Sequence, residues 1–336
     1  GDITFENVED YSRIIEHNSG TLMEEGMPEI PVFSTFYQVF DGVEYDIDYI
    51  VHQSHIIENI TLFPNQIDND KLSVDQGIIK NTDFYSSQEI YPAESLIISE
   101  KMTMRDIKFL QVTVIPYRYY PHLNQLEIFD QVEIVINESG EPEADNIATI
   151  SQAFERVYES FLINYDRDED VEYQQPAVLY IGESDALNNS YFQDLVEWRK
   201  QRGYVVYTAS TSETGSSTTS IKNYIQNAYN SWEPRPDFIT LVGDDGGSYS
   251  DIPSYTEYWS GYNGEGDHPY TQLDGGDIMG DVFIGRMSVR NTSTLNTVCN
   301  KIINYEKATY IGTTGDDWYE SAALIGDPSS SGISCV

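Results

Sequence analysis

The chain has 336 residues, 40% of them apolar, and carries a formal charge of −38 from 56 acidic against 18 basic side chains. Its length exceeds the ~100–200 residues usual for one domain, so two separate cores are expected, with 26 Tyr and 13 Phe to fill them. The acidity excludes nucleic acid and anionic lipid as ordinary partners, no run reaches the ~18 apolar residues of a membrane span, and two cysteines are too few for a disulfide framework.

No basic and then apolar stretch opens the chain at Gly1, so any export signal is expected to have been removed already. From there to about Asn137 the pattern is short β-type runs between turn residues: Phe33 to Val39, Tyr45 to Val51, Ser95 to Ser99, Phe109 to Pro116 and Gln125 to Ile136. This predicts an all-β, sandwich-like domain over residues 1–140. His52 and His55 are three apart in a β-type segment, which points them to opposite faces and makes a poor metal pair.

Composition shifts at Glu138 to Asp145, Glu-Ser-Gly-Glu-Pro-Glu-Ala-Asp, and a helix is expected over Ile150 to Asn164, followed by the charged run Asp166 to Asp170. Residues 141–175 therefore read as a linker with a helix. From Pro176 the texture alternates between β and α. Strands are expected at Ala177 to Ile181, Tyr204 to Ala209, Phe238 to Val242, Val282 to Ile284 and Ala322 to Ile325; helices at Tyr191 to Gln201, Ser217 to Asn230 and Thr294 to Lys307. That rhythm predicts an α/β domain over 176–336, a parallel sheet covered by helices on both faces. A sheet ending at such a strand would bare an apolar edge, so more chain or a partner is expected to cover it.

Two loops in this part are rich in carboxylates. Asp244, Asp245 and Asp251 lie on one, and Asp274, Asp277 and Asp281 on the other, with glycines that allow tight turns. Hard cations such as Ca²⁺ favour oxygen ligands of this kind, although the spacing is not that of an EF-hand, and solvated loop acids are the alternative. Gly243, Gly246 and Gly247 do not form a phosphate loop, because the adjacent aspartates repel phosphate.

Several strings point further. Asp194-Leu195-Val196-Glu197-Trp198-Arg199-Lys200-Gln201-Arg202-Gly203 precedes a strand, Val-Gly-Asp-Asp and Asp-Ile-Pro fall within Asp237 to Pro253, and Gly280-Asp281-Val282-Phe283-Ile284-Gly285-Arg286-Met287-Ser288 leads into a helix closing with Ile303-Asn304-Tyr305-Glu306-Lys307. Together with Glu25-Gly26-Met27-Pro28-Glu29-Ile30-Pro31 and Val114-Ile115-Pro116-Tyr117-Arg118-Tyr119-Tyr120-Pro121, they resemble the gingipain-like cysteine peptidases and their propeptide. The resemblance spans most of the chain and implies a caspase-like fold, a zymogen acting on protein or peptide substrates, export to the medium or cell surface, and calcium as a bound ion.

It also implies a catalytic His and Cys on later strand ends, beyond Val336, so that the rest of the peptidase domain becomes a partner of this part. Cys299, interior to a predicted helix, reads as a small buried thiol, and Cys335 has no histidine near it in sequence. His268 and Asp327 fall where the family shapes the active-site neighbourhood. A basic propeptide residue can fill the specificity pocket or mark the cleavage point; Arg167 is the first candidate and Arg156 the second. Two other readings stand beside the zymogen: a pseudo-peptidase or surface binding module that keeps the scaffold, and a sortase-type processing peptidase of the same family.

Overall fold

The structure is a computed structural model that describes residues 3–17, 19–66, 77–143, 149–167, 171–259, 262–309, 311–313 and 321–322. Its first part is built from β1 (Thr4–Val8), β2 (Tyr11–Ile15), β3 (Gly20–Thr21), β4 (Pro31–Val39), β5 (Val43–Glu58), the single-turn helix α1 (Thr82–Tyr85), β6 (Leu96–Ile98), β7 (Met102–Met104), β8 (Ile107–Val114), β9 (Tyr117–Tyr120) and β10 (Gln125–Gly140). Every ladder among them is antiparallel. One sheet runs β3-β4-β8-β6 with β7 also on β8, a second runs β5-β10-β9, and β1 pairs with β2. Ile30, Leu62, Ile115, Tyr119 and Leu126 are wholly buried in a shared apolar cluster, to which strands of both larger sheets contribute. Buried tyrosines keep a partner for the hydroxyl: Tyr85 Oη donates to the Leu62 carbonyl at 2.8 Å.

The strand expected at Tyr45 to Val51 is much longer, because β5 pairs with β10 from Val43↔Gly140 to Glu58↔Gln125, across a bulge near Asp130. Its polar second half, His52-Gln53-Ser54-His55, hid the continuation. In the ladder His52 meets Glu133 at 2.7 Å and His55 meets Asp130 at 2.8 Å, so each histidine has its own carboxylate.

The region read as a linker is a packed layer. β11 (Thr149–Ile150) pairs parallel with β12 (Glu172–Tyr173), and α2 (Gln152–Phe161) lies between them in sequence. Ser151 caps α2 by accepting from the Phe154 N–H. Phe154, Tyr158 and Leu162 are buried together with Phe109 of β8, and Phe154 lies 4.5 Å from the Phe283 ring. The helix thus joins the antiparallel part to the α/β part of the chain.

The remaining elements are β13 (Ala177–Gly182), α3 (Ser184–Leu187), α4 (Ser190–Gln201), β14 (Val205–Ser210), α5 (Thr211–Thr214), α6 (Thr218–Ser231), β15 (Phe238–Val242), the hairpin β16 (Tyr255–Trp259) and β17 (Tyr262–Gly266), β18 (Phe283–Met287) and α7 (Thr292–Glu306). The sheet order is β14-β13-β15-β18 and each pairing is parallel. All six residues of β13 are buried, as a central parallel strand requires. Its side chains alternate between faces: Val178 and Tyr180 pack with α4 and α7, while Leu179 and Ile181 pack with α6. Helices therefore cover both faces, as the alternating pattern predicts. The expected strand Ala322 to Ile325 falls almost wholly outside the described residues, as do Asp327 and Cys335.

Candidate functional site

The most heavily built polar cluster joins the two halves of the chain. Strands β7 and β8 form a hairpin whose two-residue tip is Arg105-Asp106, since Met104 pairs with Ile107. Arg105 has a φ of 54°, a left-handed conformation uncommon outside Gly and Asn. Its side chain is wholly buried and that of Asp106 is 6% exposed. Two charges at a hairpin tip normally face water, so their burial requires partners.

The partners come from the segments that lead into β13, β15 and β18. The Arg105 guanidinium donates to the Pro236 carbonyl at 2.9 Å and the Asp281 carbonyl at 3.0 Å, and stands 3.2 Å from Asp237 Oδ1. Its backbone N–H donates to Asp281 Oδ1 at 2.6 Å. Asp237 is completed by the Gln174 amide at 2.8 Å and the Ala177 N–H at 3.0 Å. Asp106 pairs with Arg235, and Tyr158 and Tyr229 donate their hydroxyls to the Met104 and Arg105 carbonyls. Burial, followed by the nearby Arg235 cation, draws the Arg105 guanidinium below its usual pKa, against the pull of Asp237 and Asp106; an arginine nevertheless keeps its proton.

The six aspartates of the two carboxylate-rich loops divide between the two ends of the parallel sheet, with Asp245 accepting from the Ser254 hydroxyl. At the amino-terminal end, Asp281 is fully buried and accepts from the backbone N–H groups of Arg105, Leu273 and Asp274. Burial raises its carboxyl pKa, opposed by those three donors. Asp277 accepts from the Thr103 and Met279 N–H groups, and Asp274 from that of Gly275. At the carboxyl-terminal end, Asp244 meets Arg290 at 3.3 Å and Asp251 accepts from the Gly246 N–H at 2.9 Å. Among the described residues, no group of three or more His, Cys, Asp or Glu side chains is placed to hold a metal. These carboxylates shape loops, and two of them receive the β7–β8 hairpin.

Arg286, mid-strand in β18, organises the carboxyl-terminal end. It forms a two-pronged pair with Asp267, at 2.7 and 2.9 Å, and donates to the Ile252 carbonyl at 2.6 Å. His268, expected near an active site, sits in the next turn with Nε2 2.7 Å from the Ile278 carbonyl. Cys299 is 1% exposed, and burial pushes its thiol up to about 11, which is the setting of an inert core cysteine.

The two propeptide arginines differ. Arg167 is held 3.3 Å from buried Glu155 and over the Tyr173 ring at 4.4 Å. Arg156 is exposed on α2 and borders a cleft of about 360 Å³ with Gln174, Arg202, Tyr204 and Asp237. Sequence reasoning missed Arg105 altogether. The available signal was a charged pair interrupting the apolar alternation Met102, Met104, Ile107 and Phe109, which marks a hairpin tip but not its burial.

Comparison with known proteins accounts for both halves. Residues 4–171 match the family Propeptide_C25 and residues 172–334 match Peptidase family C25. Gingipain R1 of Porphyromonas gingivalis is 25% identical over 321 residues, covering 90% of this chain and 30% of the relative. Gingipain R2 of the same organism is 24% identical over 313 residues, covering 90% and 41%. Lys-gingipain, also from that organism, is 26% identical over 333 residues, covering 90% and 18%. The chain thus spans less than half the length of each of these relatives. Among solved structures, a complex of Porphyromonas gingivalis RgpB pro- and mature domains aligns with a TM-score of 0.41 at 20% identity, over 49% of this chain and 88% of that one. A structure described as giving insight into zymogenic latency of gingipain K aligns at 0.35 and 19%, over 41% and 81%.

Proposed function

Because the chain belongs to peptidase family C25 and carries that family's propeptide, we propose that it is the propeptide and first part of the peptidase domain of a secreted cysteine endopeptidase zymogen with a caspase-like catalytic fold. The observation that carries this reading is the contiguous match of propeptide and peptidase families over residues 4–334. The parallel sheet with helices on both faces supports it, and so does the far greater length of the relatives.

The chemistry is placed on a Cys/His pair in polypeptide beyond this chain: the thiolate attacks the peptide carbonyl, and the imidazole first takes the thiol proton and then delivers a proton to the leaving amine. Neither Cys299 nor His268 takes these roles here, one being buried with a raised thiol pKa and the other turned to a loop carbonyl. Residues 172–334 supply the scaffold. Arg286 ties the segment that follows β15 to Asp267 at the close of the β16–β17 hairpin, near the carboxyl ends of the strands, where open α/β sheets gather their reacting groups. Processing is placed after Arg167, which lies just before the point where the two family matches meet.

The test uses the full-length protein, treated with a thiol-directed acyloxymethyl-ketone bearing a basic side chain. A covalent adduct on one downstream cysteine, formed after propeptide release and absent from Cys299, is expected. Failure of every cysteine to react after the propeptide has gone would remove the peptidase reading.

A further inference from the structure

Arg105 is far more deeply embedded than other ion-paired cations of the propeptide. Arg13 and Lys101 make their pairs with side chains 31% and 41% exposed, whereas that of Arg105 is wholly buried. Its contacts are specific in shape. The guanidinium is shared among the Pro236 and Asp281 carbonyls and the Asp237 carboxylate, and the backbone N–H groups of Thr103 and Arg105 enter Asp277 and Asp281. The left-handed φ of 54° turns the tip so that main chain and side chain engage the same receptor, and a strained residue persists only where its surroundings over-determine it.

We propose that the Arg105-Asp106 tip is the non-covalent latch by which the propeptide stays on the peptidase domain once the connection between them has been cut. This rests on the zymogen reading above. The receptor consists of Gln174, the Arg235-Pro236-Asp237 segment and Asp281, and it lies at the amino-terminal ends of β13, β15 and β18. Reacting groups of such sheets gather at the opposite ends. The latch therefore holds without occupying the substrate side, and retention of the propeptide is a separate event from blockage of the active site. Removing the buried guanidinium leaves the Asp237 carboxylate uncompensated and the Pro236 and Asp281 carbonyls without their donor, which makes the latch a large share of the hold.

To test this, a site for a sequence-specific protease is inserted between Asp168 and Asp170 of the chain, the protein is cut, and the association of the pieces is measured by size exclusion over a dilution series. With Arg105 intact the two pieces should stay together. Arg105→Ala should weaken association about 100-fold or more. Arg105→Lys should weaken it nearly as far, because a point charge cannot replace the planar fork. Lys101→Ala, beside the same hairpin but exposed, should stay within about twofold. Wild-type affinity in cut Arg105→Ala would overturn the latch.

If Arg105→Ala does not fold, amide exchange in the unmodified chain decides. The Arg105 N–H should exchange as slowly as that of Leu179 in β13, and exchange at the rate of an exposed loop amide would overturn the proposal. Neither readout needs catalysis by this protein. Loss of the latch leaves the peptidase reading standing, and a tightly held pair that never labels a cysteine does the reverse.

Discussion

Single residues here are understood by what burial does to them. Cys299 lies on the inner face of α7 among Leu295, Ile303 and Val196, and its thiol, at about 11, is protonated throughout the neutral range. Thiolate is the species that reacts. In native buffer near about pH 8, iodoacetamide should leave Cys299 unmodified, and denaturant should expose it to complete labelling, as read by peptide mapping. Rapid labelling in the native state would mean that α7 does not seat on the sheet. At alkaline pH the folded thiol titrates above the unfolded one, so its contribution to stability is complete below about 9 and is lost as pH rises through about 11. The helical spacing of Cys299 from Leu295 and Ile303 made its burial legible in the sequence. Arg105 was illegible for the opposite reason, since its partners lie 131 and 176 positions away.

Elements were legible where one face repeats. Helices α4, α6 and α7 and the strands β13, β14 and β15 follow periodicities that belong to the local sequence, with ends shifted by a residue or two. The β16–β17 hairpin was not anticipated, because Tyr-Thr-Glu-Tyr-Trp and Tyr-Asn-Gly-Glu-Gly carry no clear apolar face. Helix α2 was foreseen as a helix but not as a layer. Its role depends on Phe109, Phe283 and Met279, which reach it from both halves of the molecule. Phe154 is 2% exposed at the centre of that contact. Phe154→Ala should destabilise the chain by about 3–5 kcal/mol, the usual cost of emptying a buried aromatic site. Urea unfolding with fluorescence detection would measure it. The antiparallel and parallel parts should then also unfold at separate midpoints, because α2 supplies the apolar part of the surface they share; a single, unshifted transition would show that their coupling runs elsewhere.

At the scale of the whole molecule, charge and packing act against each other. Pairing every basic side chain with one acid would still leave an excess of 38 acids, so self-repulsion exceeds what surface ion pairs can offset. Exposed pairs such as Lys101–Asp41 contribute at most about 1 kcal/mol each and weaken in salt. The buried cluster around Arg105 is shielded from solvent ions and should change little. Raising NaCl from about 20 mM to about 0.5 M shortens the screening length from roughly 20 Å to about 4 Å. Relief of repulsion then outweighs loss of the surface pairs, and the melting temperature should rise with salt. Sodium and potassium chloride should act alike, since general screening needs no particular cation. A melting temperature that falls with salt would mean that attractive surface pairs, and not the excess of carboxylates, dominate the electrostatics of the folded chain.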